Sequence, residues 1–478
     1  VRFPGFIGPS YTLQSVNVDC QRSLNLFPEV NELGTGKEGE VAALVPTPGK
    51  RLLLTLTGTP TRGGWRASNG EFFVVGGDKL YRVSSAWVAT ELGTLLTSSG
   101  PVSIADNGEH VVVVDGTYGY SWTIDTSAFA QITDPDFPGA DVVTFQDGYF
   151  IFNKINTQQF FISDLNGIGF DALDIASAEG SPDLLKSVSS LNQQLYLFGS
   201  QSLEVWYNSG DADFPFQRIS GAVIDVGCVA EHSVAKLLDS LFWLGGDDTG
   251  NGVVYRTQGN KAQRVSTPAI EAVIRGLDAD DIADARAWAY QQGGHHFYCL
   301  NIPGAASTWC FDASTNLWHE RAYNNLWSLE RDRADWHAVA HGLNVVGDYE
   351  DGRIYALDPE YYTDGGTSIV RERTSPHVSK GLNRLFHSRF QLDMETGVGI
   401  DGSGQGSDPQ VMLQYSDDGG SSWSTERWTG CGAIGARKTR VIWNRLGSSR
   451  DRVYRIRIAD PVKTVLIGAE LAVEEGVA

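Results

Sequence analysis

FFVVGGDKLYRV (72–83) decides how this chain folds, because its pattern returns at intervals of about forty to fifty residues along most of the sequence. The further copies are HVVVVDGTYGYSW (110–122), YFIFNKINTQQFFIS (149–163), QLYLFGSQSLEVWY (194–207), SLFWLGGDDTGNGVVYRT (240–257), HHFYCLNIPGAASTWCFD (295–312) and LNVVGDYEDGRIYALD (343–358). Each joins two runs of β-branched and aromatic residues through a Gly, Asp or Asn turn. Two strands cannot bury both of their faces alone, so such units must stack. Four-stranded blades around a central axis meet that need. The pattern predicts an all-β chain, a β-propeller of about six to seven blades, over residues 51–370.

The flanks lack the repeat. Residues 1–50 open on RFPGFIGPSY (2–11), whose prolines, glycines and aromatics favour an extended arm that docks on another subunit. A first strand follows, then the loop NELGTGKEGE (31–40) and the stiff turn VPTPGK (45–50). Residues 371–478 alternate strongly and predict a C-terminal β-sandwich-like region. That region has a second reading, as the source of the last blade. Helix signals are few. Thr267 as cap, Pro268 in the first turn and an apolar face at Ile270, Val273, Ile274 and Leu277 predict one or two short helices before the His295 strand. SPDLLKSVSS (181–190) reads as a further single turn.

With 478 residues, 41% hydrophobic and 11% aromatic, the chain has material for a large core. A net charge of −21 argues against general nucleic-acid wrapping, which needs a basic footprint. From Thr374 onward the chain is nearly neutral, so the acidic surplus lies before it. The five cysteines are scattered without a CxxC pair, which points to buried thiols and a reducing compartment. No apolar run reaches the length needed to span a membrane and no signal-peptide pattern opens the chain, so a soluble protein is expected.

The sharpest local motif is SDDGGSSW (416–423), with Ser416, Asp418, Gly420 and Trp423 at the spacing of an Asp-box, as in sialidases. Its physics is structural: an acceptor inside the turn, a glycine for positive φ and an aromatic across the hairpin base. A sialidase site also needs three arginines around a carboxylate and a Tyr–Glu nucleophile pair, and no spacing nominates them. DDTGNG (247–252) and SDLNGIGFDALD (163–174) lack the ligand alternation of a calcium loop and read as turns. His295 and His296 alternate across a strand and point to opposite faces. With no HExxH, GxSxG or phosphate-cradling loop, no catalytic, cofactor-binding or metal-binding residue is nominated, and no cofactor is expected. A basic run remains: Arg437, Lys438, Arg440, Arg445, Arg450, Arg452, Arg455 and Arg457 crowd two predicted strands. Such a patch fits DNA phosphates, an acidic surface of a neighbouring copy, or a solvated strand face.

The N-terminal segment carries a resemblance. SYTLQSVNVDCQRSLNLFPE (10–29), with Ser10, Tyr11, Asn25, Leu26, Phe27, Pro28 and Glu29, followed by Pro46, Thr47, Pro48 and Gly49, resembles the start of the packaged-DNA stabilisation proteins of short-tailed bacteriophages, also called tail hub or nozzle proteins. The blade series and the late Asp-box fit the same family. The resemblance implies a non-enzymatic virion tail protein, made and assembled in the host bacterial cytoplasm. It implies a homo-hexameric ring below the portal and its adaptor, which continues the DNA channel, retains packaged DNA and docks tail fibres or tailspikes and a tail needle or plug. Double-stranded DNA would pass through transiently, with no membrane insertion by the chain. Phe3, Pro4, Phe6, Tyr11, Asn25, Phe27, Pro28 and Glu29 form the expected assembly arm. The alternative is a carbohydrate-active propeller, a sialidase-like glycosidase or a lectin.

Overall fold

The computed structural model describes residues 2–31, 41–57, 59–247, 250–326, 328–381 and 383–476. Among them, seven antiparallel sheets follow one another around a common axis: 61–94, 103–131, 143–177, 185–224, 227–264, 286–325 and 334–358. We number these blades 1 to 7. The first strand of each blade lies innermost, most of them touching the first strands of their neighbours, with the helical turn Glu231–Ser233 meeting blade 4, and blade 7 returns to blade 1.

The apolar runs that mark the repeat are second strands, buried on both faces. In Phe72–Gly76, Phe73 and Val75 pack toward blade 2, while Phe72 and Val74 pack toward blade 7. In Tyr149–Asn153, Phe150 and Phe152 face blade 2 and Ile151 faces blade 4. Alternation with period two sends odd and even residues to different neighbours, so a strand between two blades has no polar side. Seven such interfaces close the ring.

Closure uses the chain before the first blade. Gly49–Thr55 adds antiparallel to Arg353–Asp358 and supplies the outer strand of blade 7. Lys50 pins this strand from inside, its Nζ 3.0 Å from Asp332 and 3.1 Å from Asp364. The last blade is therefore not drawn from the C-terminal region.

That region is a β-sandwich, but not a self-contained one. Its first sheet combines Leu385–Met394, Val441–Asn444 and Leu466–Glu475 with Leu26–Val30 and Val41–Pro46. Its second sheet, of Arg371–Thr374, Gln410–Ser416, Arg427–Gly430 and Asp451–Ile458, runs through Cys20–Leu24 into the outer strand of blade 6. The described part of residues 1–50 is thus no separate arm: Phe3, Phe6 and Ile7 lie in the sandwich core with Phe390, Tyr454 and Ile456. Apolar side chains from residues 1–50 fill space that the C-terminal strands leave open.

The expected helices form at Pro268–Arg275 and Ala279–Ala283, with the Thr267 hydroxyl accepting from the Ile270 amide. The second half of SPDLLKSVSS is not a turn. It belongs to the strand Leu185–Leu191, because pairing with Gln194–Gly199 outweighs the local turn signal. The DDTGNG turn falls partly on residues 248–249 and the 31–40 loop on residues 32–40, all outside the described residues. The described cysteines are all buried thiols, and Cys299 faces Cys310 across blade 6 with 3.0 Å between sulfurs.

Candidate functional site

Three places concentrate polar side chains: the propeller axis, the seam between the N-terminal segment and blade 6, and the open face of the second sandwich sheet.

Along the axis the innermost strands enclose a cavity of about 620 Å³ lined by Arg62, Trp65, Asp106, Arg286, Trp288 and Asp335 among others. It has the volume of a small-molecule pocket, far too small to hold a duplex. A smaller chamber of about 130 Å³ at one mouth brings together Asp115, Asp141, Glu231, His232 and Arg286. Burial raises the Asp141 and Glu231 carboxyls and pulls His232 down to about 3. Both lining arginines are engaged. Arg62 donates to the carbonyls of Gly77, Thr97 and Gly100, and Arg286 reaches Asp335 at 2.5 Å. Three arginines gripping a carboxylate do not occur among the described lining residues. Nor is any group of three or more His, Cys, Asp and Glu among the described residues placed to share a metal ion.

At the seam, the family-like segment is an interlock. Asn25 takes φ +53°, the left-handed conformation that asparagine tolerates. This kink lets the chain leave the second sandwich sheet at Leu24 and enter the first at Leu26. Its amide nitrogen donates to the carbonyls of Ala322 and Val370, each at 2.9 Å, and its oxygen accepts from the Ala322 amide at 3.0 Å. Phe27 packs on Phe297 and His295, and Pro28 is buried beside it. The Glu29 carboxylate lies 3.0 Å from His295 Nε2, whose Nδ1 is 2.7 Å from buried Asp312. The bond to Asp312 is the main cause of a raised His295 pKa. Burial opposes ionisation of Asp312, yet His295 and neighbouring donors hold its pKa below the usual range. Ser10 binds the Ser23 backbone, and Tyr11 pairs with Gln21. Phe3 and Phe6 point inward while Pro4 is exposed. Sequence reasoning missed Arg373, which holds the first residues down: its guanidinium donates to the carbonyls of Gly5, Phe6 and Pro9 and to Gln21. Burial pulls its pKa down to about 9.

The Asp-box hairpin sits in the sandwich. Ser416 Oγ is 2.6 Å from Asp418 and accepts from the Gly420 amide, while Asp418 accepts from the Ser422 amide at 2.8 Å. These bonds, the one from Ser416 first, take the Asp418 pKa down to about 2. Gly420 has φ +95°, and Trp423 carries the Arg455 guanidinium 3.9 Å above its ring.

The basic run does not form one patch. Val441–Asn444 and Asp451–Ile458 belong to different sheets, so the residues they carry separate. Arg452 turns inward, bidentate to Asp417 at 2.6 and 2.7 Å. Arg457 binds buried Glu372 at 2.6 Å, and Arg455 binds Gln414. Arg440 reaches Gln391 at 2.7 Å, and Arg437, Lys438, Arg445 and Arg450 are exposed. Period-two alternation identified the shared side of Arg455 and Arg457, while the partners came from strands distant in sequence.

A closed seven-bladed propeller, interlocked with a sandwich through its own N-terminal strands, defines an all-β propeller–sandwich protein whose largest polar clusters join its parts. The chain belongs to the Bacteriophage P22 Gp10 family: the family's β-propeller model matches residues 20–362 and its β-sandwich model matches residues 370–474. It is similar to the tail hub protein gp10 of Salmonella phage P22, with 22% identity over 467 residues, 93% of this chain and 94% of the relative. Among solved structures, the WD40 β-propeller domain of Doa1 is 12% identical, covering 64% of this chain and 96% of that one with a TM-score of 0.40. The extracellular domain of a putative one-component system of B. thetaiotaomicron is 9% identical, covering 74% of this chain and 45% of that one with a TM-score of 0.44. At these scores neither bears on what the chain does.

Proposed function

We propose that this chain is a structural protein of a phage tail, a hub that forms a six-copy ring below the portal and adaptor. The ring continues the DNA channel, retains packaged DNA and offers docking surfaces for fibres or spikes and a needle. The observation that carries this is similarity across both domains to a tail hub protein at near-complete coverage of each chain. The narrow propeller axis supports a DNA path between copies, not through the blades. The acidic surplus supports a lumen that repels DNA phosphates and lets the duplex slide. The polar residues of the Asn25–His295 seam and Arg452 and Arg457 of the sandwich are engaged within the chain, which supports a scaffold reading.

The test is particle assembly without this chain. Heads are expected to fill with DNA and then lose it, and to carry no tail. Supplying purified protein is expected to restore DNA retention, with a ring visible below the portal by electron microscopy. Stable, infectious particles in its absence would refute the hub role.

A further inference from the structure

Charge is segregated within the molecule. Residues 101–250, essentially blades 2 to 5, carry 21 Asp and Glu against four Lys and Arg, and so account for most of the net −21. The sandwich joins the ring at blade 6, three positions from blade 3 around seven, so it lies across the propeller from the middle of the acidic sector. Acidic and near-neutral parts of one chain therefore cannot cover each other.

Each end carries an uncovered apolar feature. On the second sandwich sheet, register aligns Arg457, Met412 and Trp428 in one row and Arg455 with Gln414 in the next. Trp428, on the last strand of the sheet, is 58% exposed, and Trp423 lies under Arg455 on the same side. Aromatic, methionine and arginine side chains are those enriched at protein interfaces. In blade 3, the 163–174 connection holds Leu165 60% and Leu173 83% exposed, flanked by Asp164 and Asp171. The connection is held by backbone bonds: Asp164 N–H donates to Gly169 and Asp174 N–H to Asp171 within it, and Asn166 N–H to Gly148 in the neighbouring hairpin. Its two leucines are thus presented with little left to order on binding.

We propose that the Trp428 face of the sandwich docks onto the 163–174 connection of a second copy of this chain. An apolar anchor beside Arg455 and Arg457 meets apolar side chains beside Asp164 and Asp171. Because the two surfaces differ, the contact is heterologous and propagates from copy to copy, as a ring requires. This rests on the ring reading above and names the surfaces that build it.

Two single variants test it, Trp428→Cys and Leu173→Cys, both at exposed positions whose replacement leaves the core intact. Mild oxidation of the mixture is expected to yield a covalent dimer, with none from either variant alone. Trp428→Ala is expected to weaken self-association roughly thirty-fold, measured by light scattering at low salt. Equal cross-linking within one variant would overturn the heterologous contact. A chain that forms rings but gives no mixed cross-link would overturn this interface and leave the hub reading standing. A chain that never self-associates, free or on portal-bearing particles, would overturn both.

Discussion

His295 shows at the level of one side chain how the segment that suggested the family is held. It bridges Glu29, from the N-terminal strands, and Asp312, inside blade 6. A histidine whose folded pKa is raised above 6.5 stabilises the fold fully below that value, and the contribution fades as pH rises through the raised pKa. Asp312, depressed below 3.8, contributes above its ordinary value and loses that contribution as pH falls through the depressed one. The pair is therefore strongest between these limits. His295→Gln is expected to lower the melting temperature by about one to two degrees near pH 5 to 6, with the gap closing as pH rises through the raised His295 pKa. A gap independent of pH, measured by calorimetry across that range, would show that the imidazole acts only by packing. In the sequence, strand alternation correctly separated His295 from His296. Of the two carboxylates that His295 meets, Asp312 ends the same hairpin 17 residues on, whereas Glu29 stands 266 residues back, where no local spacing revealed it.

Among the elements, the first strand of blade 1 meets the last blade in close contact. Gly64 lies against the indole of Trp336, and a Cβ there would stand 2.3 Å from the ring. Trp336 also donates its Nε1–H to Thr61 at 3.0 Å, which ties blade 7 to blade 1. Gly64 is thus a requirement of closure, where a backbone must approach an aromatic face, while Gly63 lies against Val102 at the entry to blade 2. Gly64→Val is expected to destabilise the chain by about 3 kcal/mol or more by prising this seam apart, measured by denaturant unfolding. A neutral result would mean that the ring does not close as tightly as this contact implies. The second strands were legible in sequence because both of their faces are buried and their apolar runs are unbroken. The closing strand Gly49–Thr55 was not, because its partner lies some three hundred residues away and its own pattern matches any outer strand.

For the whole molecule, the N-terminal segment has another role than the extended docking arm its composition suggested. Deleting residues 1–13 removes Phe3, Phe6 and Ile7 from the sandwich core and takes away carbonyls that Arg373 binds. The loss is expected to exceed about 5 kcal/mol, with the sandwich unfolding well before the propeller in calorimetry. An unchanged thermogram for the truncated chain would show that these residues only rest on the sandwich. The sequence by itself determined the propeller, the strand character of the C-terminal region and the family resemblance, because repeat, alternation and a short motif are all local in the chain. Only the tertiary structure decided the blade number, how the ring closes and which strands complete the sandwich. Those outcomes depend on pairing between distant strands, and a strand's own residues state that it must be covered without naming what covers it.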